Sequence, residues 1–377
     1  TIAVDMEVQK HIATNDRLEL SATLYDAAGK QVAQRRTRVS DGKEGITKEN
    51  LTLKITNPHR WNLDDPYLYT LKTELLSNGQ RIDGCETKVG LRTLKFDPNK
   101  GFALNDNWMK VKGVCLHHDA GVLGAVVPPE VWERRLNNLK EIGVNAIRMS
   151  HNPQAPVVYD LCDRLGLLIM DEASDEWEFP KRKWVKGWNK GEPAYDGSFD
   201  FFEEWIEQDV TDMVRRDRNH PSIFMWSIGN EVDYPNDPYS HPILDGSTIN
   251  QPMFGGYKPD APDAMRIGKI AKRLAACVRA VDTSRPVTGA LAGVVMSNQT
   301  EYPDVVGYNY TENRYDEDHA TYPNRVIYGS ENGSGLEAWY AVKDKEFIFG
   351  QFIWTGTDYL GESGAWPSRG LYTGLLD

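Results

Sequence analysis

From residue 111 onward, short apolar runs alternate with helix-patterned segments, and the runs number eight. They begin near residues 111, 145, 167, 223, 287, 305, 326 and 348, with helical patterns at 130–142, 157–165, 201–218, 263–281 and shorter pieces later. Alternation of this kind implies a parallel sheet, because a parallel neighbour can be reached only by a crossover, usually a helix. Eight units close into a (β/α)8 TIM barrel, and no GxGxxG or Walker-type loop supports the open doubly wound alternative. The sequence ends at Asp377, soon after the eighth run, so the closing helix is expected to be short or absent. It opens at Thr1 without an initiator Met and already inside a strand-like segment, which reads as an excised or processed piece.

Residues 1–95 have a different texture. Apolar and polar residues alternate over 3–8, 17–26, 31–39, 46–56, 67–76 and 81–94, separated by Asn15-Asp16, Ala28-Gly29, Asp41-Gly42, Asn57-Pro58 and Asn78-Gly79. Short strands with turn signals and no helical pattern predict an antiparallel, immunoglobulin-like β-sandwich. Asn78-Gly79 is the strongest hairpin signal. The division is therefore a sandwich at 1–95 and a barrel at 96–377 whose C-terminal end is truncated.

Charge narrows the partners. A formal net charge of -12 disfavours nucleic acid and anionic membrane surfaces. No apolar run approaches the ~20 residues of a membrane span. Cys85, Cys115, Cys162 and Cys277 show no CxxC spacing, and each lies in an apolar or strand-like context. They read as small core residues rather than zinc ligands or a disulfide framework.

The ends of the predicted barrel strands carry the chemistry. His117-His118-Asp119 follow the first, and Arg148, Ser150, His151 and Asn152 the second; Asp171-Glu172 and then Asp175-Glu176-Trp177-Glu178 follow the third. The fourth is the buried run Ile223 to Ile228, ended by Gly229 and followed by Asn230-Glu231. Asn309-Tyr310 follow the sixth, Ser330-Glu331-Asn332 the seventh, and Trp354 and Asp358 the eighth. One such end could be an ordinary ion pair; seven at one rim describe a polar, aromatic-lined pocket. Glu231 and Glu331 stand on opposite walls of that ring. Facing carboxylates are what retaining glycoside hydrolysis needs, one protonated and one nucleophilic, at ~5–5.5 Å.

His117-His-Asp, Arg148-Met-Ser-His-Asn-Pro153, Met170-Asp-Glu-Ala173, Asn219-His-Pro-Ser-Ile-Phe-Met-Trp-Ser-Ile-Gly-Asn-Glu231, Gly329-Ser-Glu-Asn332 and Phe352-Ile-Trp354 resemble glycoside hydrolase family 2. Trp61-Asn-Leu-Asp-Asp-Pro-Tyr-Leu-Tyr69 resembles that family's immunoglobulin-like domain. The resemblance implies Glu231 as acid/base and Glu331 as nucleophile. It places Asn230 on the sugar 2-hydroxyl, with His117, His151, Asn309 and Tyr310 lining the subsite and Trp354 as its floor. Arg148 reads as a structural partner of Glu331, with His118 and Asp119 behind the pocket.

Departures from the family pattern set the finer expectations. In metal-dependent β-galactosidases of the family a glutamate and a histidine help hold magnesium after the third strand. Here Glu176 matches the first, but Glu178 stands in place of the histidine, so no metal ligand is assigned, although carboxylate-only Mg2+ is chemically reasonable. No other cofactor is expected. The Asn-x-Lys of β-glucuronidases aligns with Pro367 and Arg369, which counts against that activity. The expectation is a retaining exo-β-glycosidase, foremost a β-galactosidase acting on oligosaccharides, with β-glucuronidase or β-mannosidase as the alternatives. A catalytically silent carbohydrate-binding protein is the alternative of another class. A homo-oligomer stays open, as does the compartment, with a weak preference for periplasmic or secreted. Long rim loops at 175–197, with Trp177, Trp184 and Trp188, and at 236–260 would set what extends beyond the terminal sugar.

Overall fold

A computed structural model describes residues 1–11, 13–39, 44–181, 197–232, 239–242, 257–291, 304–365, 367–368 and 370–376. The chain forms two compact units, Thr1–Arg92 with Asn219–Pro221, and Thr93–Arg218 with Ser222–Asp377.

The first unit holds β1 (Ile2–Lys10), β2 (Leu18–Tyr25), β3 (Gln31–Arg38), β4 (Gly45–Leu53), β5 (Tyr69–Ser77) and β6 (Gln80–Val89). β1 and β4 pair as one antiparallel sheet, and β3-β2-β5-β6 form the other. Alternate residues face inward as the period-two pattern requires: Val4, Met6 and Val8 from β1, and Leu20, Ala22 and Leu24 from β2, meet Leu51, Leu53 and Leu71 in one apolar core. Each such Leu or Val contributes about 1.5–3 kcal/mol through burial. Asn78 and Gly79 have φ of 51° and 86°, the left-handed pair that a two-residue hairpin demands. β6 is almost wholly exposed, and Cys85 on it is exposed too, which corrects its reading as a core residue. Cys115 and Cys162 are buried and Cys277 partly so.

The second unit begins with an antiparallel sheet that the sequence pattern did not reveal: β7 (Leu94–Asp97), β8 (Gly101–Leu104) and β9 (Asn107–Met109). The single strand expected over 81–94 stops at Val89 and a new one starts at Leu94. Strands of three or four residues are too short to show a period, which is why they were not legible. Phe96 and Phe102 of this sheet stack with Phe224 and Phe349, near the starts of two barrel strands, so the sheet closes the barrel's N-terminal mouth with aromatic rings.

The barrel is β10 (Val111–Leu116), β11 (Ala146–Met149), β12 (Leu168–Glu172), β13 (Ile223–Asn230), β14 (Val287–Leu291), β15 (Val306–Asn309), β16 (Ile327–Asn332) and β17 (Ile348–Ile353). All eight are parallel and pair in chain order, and β17 returns to β10 with Val111 opposite Gly350. That seam depends on Gly350, where a Cβ would lie 2.3 Å from the Val111 carbonyl oxygen. Outside run α1 (Pro129–Glu141), α2 (Pro156–Leu165), α3 (Phe202–Asp217), α4 (Met265–Val281), α5 (Tyr315–Thr321) and α6 (Leu336–Lys343). Proline at the first position starts α1 and α2, and Gly166 at φ 72° ends α2. α4 buries Ile267, Ala271, Leu274, Ala275 and Val278, the three-and-four spacing of a helix with one apolar face. Among the described residues after β17 there is no helix, only two isolated bridges, Thr357 to Leu376 and Tyr359 to Leu371. Among the described residues no helix is long and apolar enough to cross a membrane.

Candidate active site

At the C-terminal ends of the barrel strands, the eight side chains singled out from sequence converge on one constellation. Its centre is Arg148 on β11, fully buried and spent on carboxylates. Nε and Nη2 donate to the two oxygens of Glu172 at 3.1 and 3.0 Å, Nη1 donates to Glu331 Oε2 at 2.8 Å, and Nη2 also reaches Asn230 Oδ1 at 2.6 Å. One buried guanidinium serves two carboxylates, so removing Arg148 would leave both without their cation. Burial alone would push the Glu172 carboxyl up, but Arg148, with His151 and Ser227, outweighs it and holds the group below the ordinary carboxylate range.

Glu331, near the end of β16, is 5% exposed. Its Oε1 accepts from the Tyr310 hydroxyl at 2.9 Å, and its Oε2 accepts from Asn309 Nδ2 at 3.3 Å as well as from Arg148. Three donors on one carboxylate fix the direction in which it points. Tyr310 itself stays a donor, since burial and then the two glutamates push its hydroxyl well above its usual range.

Glu231 follows β13 in the left-handed region, at φ 44°, and Tyr310 after β15 sits there too, at φ 52°. Such backbone costs ~1–2 kcal/mol for a residue with a Cβ, and it gathers at sites where a side chain must be aimed. The Glu231 amide donates to the Ala290 carbonyl at 2.7 Å, which fixes the turn. Burial, and then the charge on Glu331, push its carboxyl up to about 8, against the opposing pull of Lys181 and Asn309. Glu231 thus has the surroundings of a carboxyl that keeps its proton at neutral pH.

Asn309 joins the pair. Its Nδ2 lies 3.1 Å from Glu231 Oε1 and 3.3 Å from Glu331 Oε2, while the Ser330 hydroxyl donates to its Oδ1 at 2.5 Å and sets which way the amide faces. The two carboxylate oxygens are therefore no farther apart than those two lengths together, about 6.4 Å. Asn230 is fixed in the same way: its Oδ1 faces Arg148 and Asn309, and its Nδ2 faces Asp175 Oδ1 at 2.8 Å and His151 Nε2 at 3.2 Å. His151 Nδ1 meets Glu172 Oε1 at 2.6 Å.

An aromatic wall completes the pocket. Trp354 stacks on His151, with ring centres 5.3 Å apart, and meets His117 edge-on at 5.0 Å. His117 lies flat on Tyr359 at 3.8 Å, and its buried Nδ1 has no hydrogen-bond partner among the described residues. Burial, with His151 and His118 beside it, holds its imidazole well below the usual range, hence neutral. His118 is exposed, and Asp119 Oδ2 accepts from the Leu360 amide at 2.9 Å, tying the loop after β10 to the loop after β17.

Some strand-end residues do not join. Asp171 points away from the pocket, accepting from the Tyr159 hydroxyl of α2 at 2.7 Å, and Asp358 holds the Gly374 amide at 2.8 Å. Trp177 is buried, its indole N–H donating to the Ile228 carbonyl at 3.2 Å, so it supports β13 rather than lining the rim. Trp184, Trp188, Arg369 and most of the two long loops lie outside the described residues. Glu176 accepts from the Lys181 amide, and Glu178 is taken up by Tyr239 and both ends of the Arg266 guanidinium. A carboxylate already paired with Arg does not suit a magnesium ligand, so Glu178 does not fit that ion.

Three members of the constellation, Lys181, Tyr359 and Glu362, carried no sequence signal strong enough to single them out, and Asp175 was named only among the acids after the third strand. Asp175 binds Lys181 Nζ at 2.9 Å, and Lys181 Nζ also donates to the Asn230 carbonyl at 2.8 Å. Tyr359 and Glu362 lie on the loop after β17, where the Tyr359 hydroxyl donates to Glu362 Oε2. A loop residue belongs to no period, so only its neighbours in space reveal it.

Comparison with known proteins agrees with this arrangement. A family model for the TIM barrel domain of glycosyl hydrolases family 2 matches residues 98–355, and a second for glycosyl hydrolases family 2 matches residues 1–92. A β-galactosidase of Bacteroides ovatus is 35% identical over 97% of this chain and 48% of its own length. A β-glucuronidase of Bacteroides fragilis is 27% identical over 89% of this chain and 50% of its own. The crystal structure of a family 2 member from Bacteroides cellulosilyticus superposes with a TM-score of 0.81 at 32% identity, covering 96% of this chain and 42% of that one. The chain thus spans about half the length of the curated relatives it matches. With the barrel model alone covering well over half of its residues, this chain belongs to glycoside hydrolase family 2.

Proposed function

We propose that this chain carries the catalytic centre of a retaining exo-β-glycosidase that removes terminal β-galactosyl residues from oligosaccharides. Glu331 attacks the anomeric carbon while Glu231 gives its proton to the departing oxygen. The covalent glycosyl ester is then opened by water, whose proton returns to Glu231. Glu231, with its carboxyl pushed up to about 8, is protonated at neutral pH as the first step requires.

The observation that carries this reading is the shared contact of Asn309 Nδ2 with both carboxylates. It keeps the two oxygens within about 6.4 Å, a limit that admits the ~5–5.5 Å of retaining enzymes and falls short of the ~6.5–9.5 Å of inverting ones. The remaining groups take supporting parts. Asn230 meets the 2-hydroxyl, Tyr310 and Arg148 hold the nucleophile, and His117, His151 and Trp354 line the sugar.

The galactosyl preference draws on the Bacteroides ovatus relative; the Bacteroides fragilis relative supports β-glucuronidase as the second reading. A panel of nitrophenyl β-glycosides given to the full-length protein separates the two. A 2-fluoro glycoside of the preferred sugar is expected to add one sugar mass to the peptide containing Glu331, and Glu331→Ala to lose at least about 10³-fold in kcat. Inversion of the anomeric centre in the product, or a label on another residue, would overturn the mechanism.

A further inference from the structure

Resting on that reading, we infer that Glu362 is the specificity-determining residue that makes this pocket accept neutral sugars and reject uronic acids. The geometry points to it by accounting for charge. Glu172 and Glu331 share Arg148, and Asp175 is paired with Lys181. Glu231 is the acid kept protonated. Glu362 is a further carboxyl at this wall, and among the described residues no Lys or Arg pairs with it. Among the described residues its hydrogen bond comes from the Tyr359 hydroxyl to Oε2, and that leaves Oε1 open as an acceptor.

The position of Glu362 is built. Tyr359 is pinned between His117, flat against it at 3.8 Å, and Trp354, edge-on at 5.5 Å. The same Trp354 stacks on His151, which contacts Asn230 and Glu172. The wall of rings therefore runs from the groups that hold the reacting carbon to the carboxyl of Glu362. Its backbone is left-handed, at φ 60°, a conformation a side-chain-bearing residue holds only when its surroundings fix it. Burial, and beyond it the charges of Asp175 and Glu331, push the Glu362 carboxyl up to about 7, while Tyr359 and His151 oppose. The groups facing it are thus two acids, a phenol and an imidazole.

An uncompensated carboxylate accepts strongly from a sugar hydroxyl. Against a sugar carboxylate it is a like charge, and repulsion of that kind rejects the wrong partner. The consequence is a pocket that discriminates by what it repels.

The test compares kcat/KM of the full-length protein for its preferred neutral nitrophenyl β-glycoside and for the uronide of the same configuration. Glu362→Gln keeps the shape and removes the charge. It is expected to lower the neutral-to-uronide ratio at least about tenfold at pH 8. In the wild type the ratio should rise between about pH 6 and pH 8 as Glu362 ionises, and that rise should vanish in Glu362→Gln; dividing one rate by the other cancels the titration of Glu231. Tyr359→Phe, which keeps the ring and frees the carboxyl, should give a smaller change in the same direction and serves if Glu362→Gln does not fold. An unchanged ratio in both variants, or a pH-dependent ratio that survives in Glu362→Gln, would overturn the assignment while leaving the glycosidase reading intact. Failure to hydrolyse any β-glycoside, with no covalent label from a fluoro sugar, would overturn both.

Discussion

Glu231 shows how one side chain ties stability to chemistry. Its carboxyl titrates near 8 in the fold and near the ordinary value once unfolded, so between those limits the folded chain holds one more proton than the unfolded chain. The stabilisation is complete below the unfolded value and is lost as pH rises through the folded one. Glu231→Gln, which cannot ionise, is therefore expected to show a Tm advantage over wild type that grows from about pH 5 to pH 8 and then levels off. Thermal melts across that range check it, and a constant difference would refute it. Arg148 is the opposite case. Arg148→Met leaves Glu172 and Glu331 buried without their cation and should cost about 3–5 kcal/mol in urea unfolding, against roughly 0–1 kcal/mol for an exposed pair such as Lys48 with Glu7. At this scale the sequence was informative where a residue ended a strand. Glu231, Glu331, Asn230 and Asn309 were legible because buried runs stop at them. Arg148 was seen only as a structural partner and Asp175 only as one acid after the third strand, and the loop residues Lys181, Tyr359 and Glu362 were not seen, because nothing local tells a rim loop which way it will turn.

Elements were legible in proportion to their length and period. All eight barrel strands begin within a few residues of the apolar runs, because a strand buried on both faces must be apolar throughout. β7, β8 and β9 escaped because three or four residues define no period, although their function, covering one mouth of the barrel, is as structural as any. Two glycines separate backbone freedom from space. At Gly79 a Cβ would meet nothing within 4 Å, so Gly79→Ala costs only its positive φ, ~1–2 kcal/mol. At Gly350 the obstacle is the Val111 carbonyl across the closing seam, which cannot rotate aside. Gly350→Ala is expected to cost more than Gly79→Ala and to abolish soluble barrel or activity, as urea titration and hydrolysis assays of the two would show.

For the whole molecule, the formal charge of -12 and the acid-rich mouth act together. An anionic glycoside approaches against that field while a neutral one does not feel it. Raising salt from about 20 to 300 mM should therefore raise kcat/KM for a uronide or sulfated substrate and leave a neutral one unchanged. Equal salt responses would show that the field does not reach the substrate. The ring of strands has its own consequence. β13 and β16, which deliver Glu231 and Glu331, are never neighbours; β14 and β15 separate them on one side, and the rest of the circle on the other. The distance between the two acids is set by the curvature of the sheet, which only the closed ring fixes. Sugar cleavage should thus switch on only when the last strand docks, so that a newly made or nicked chain is inert until its circle is whole.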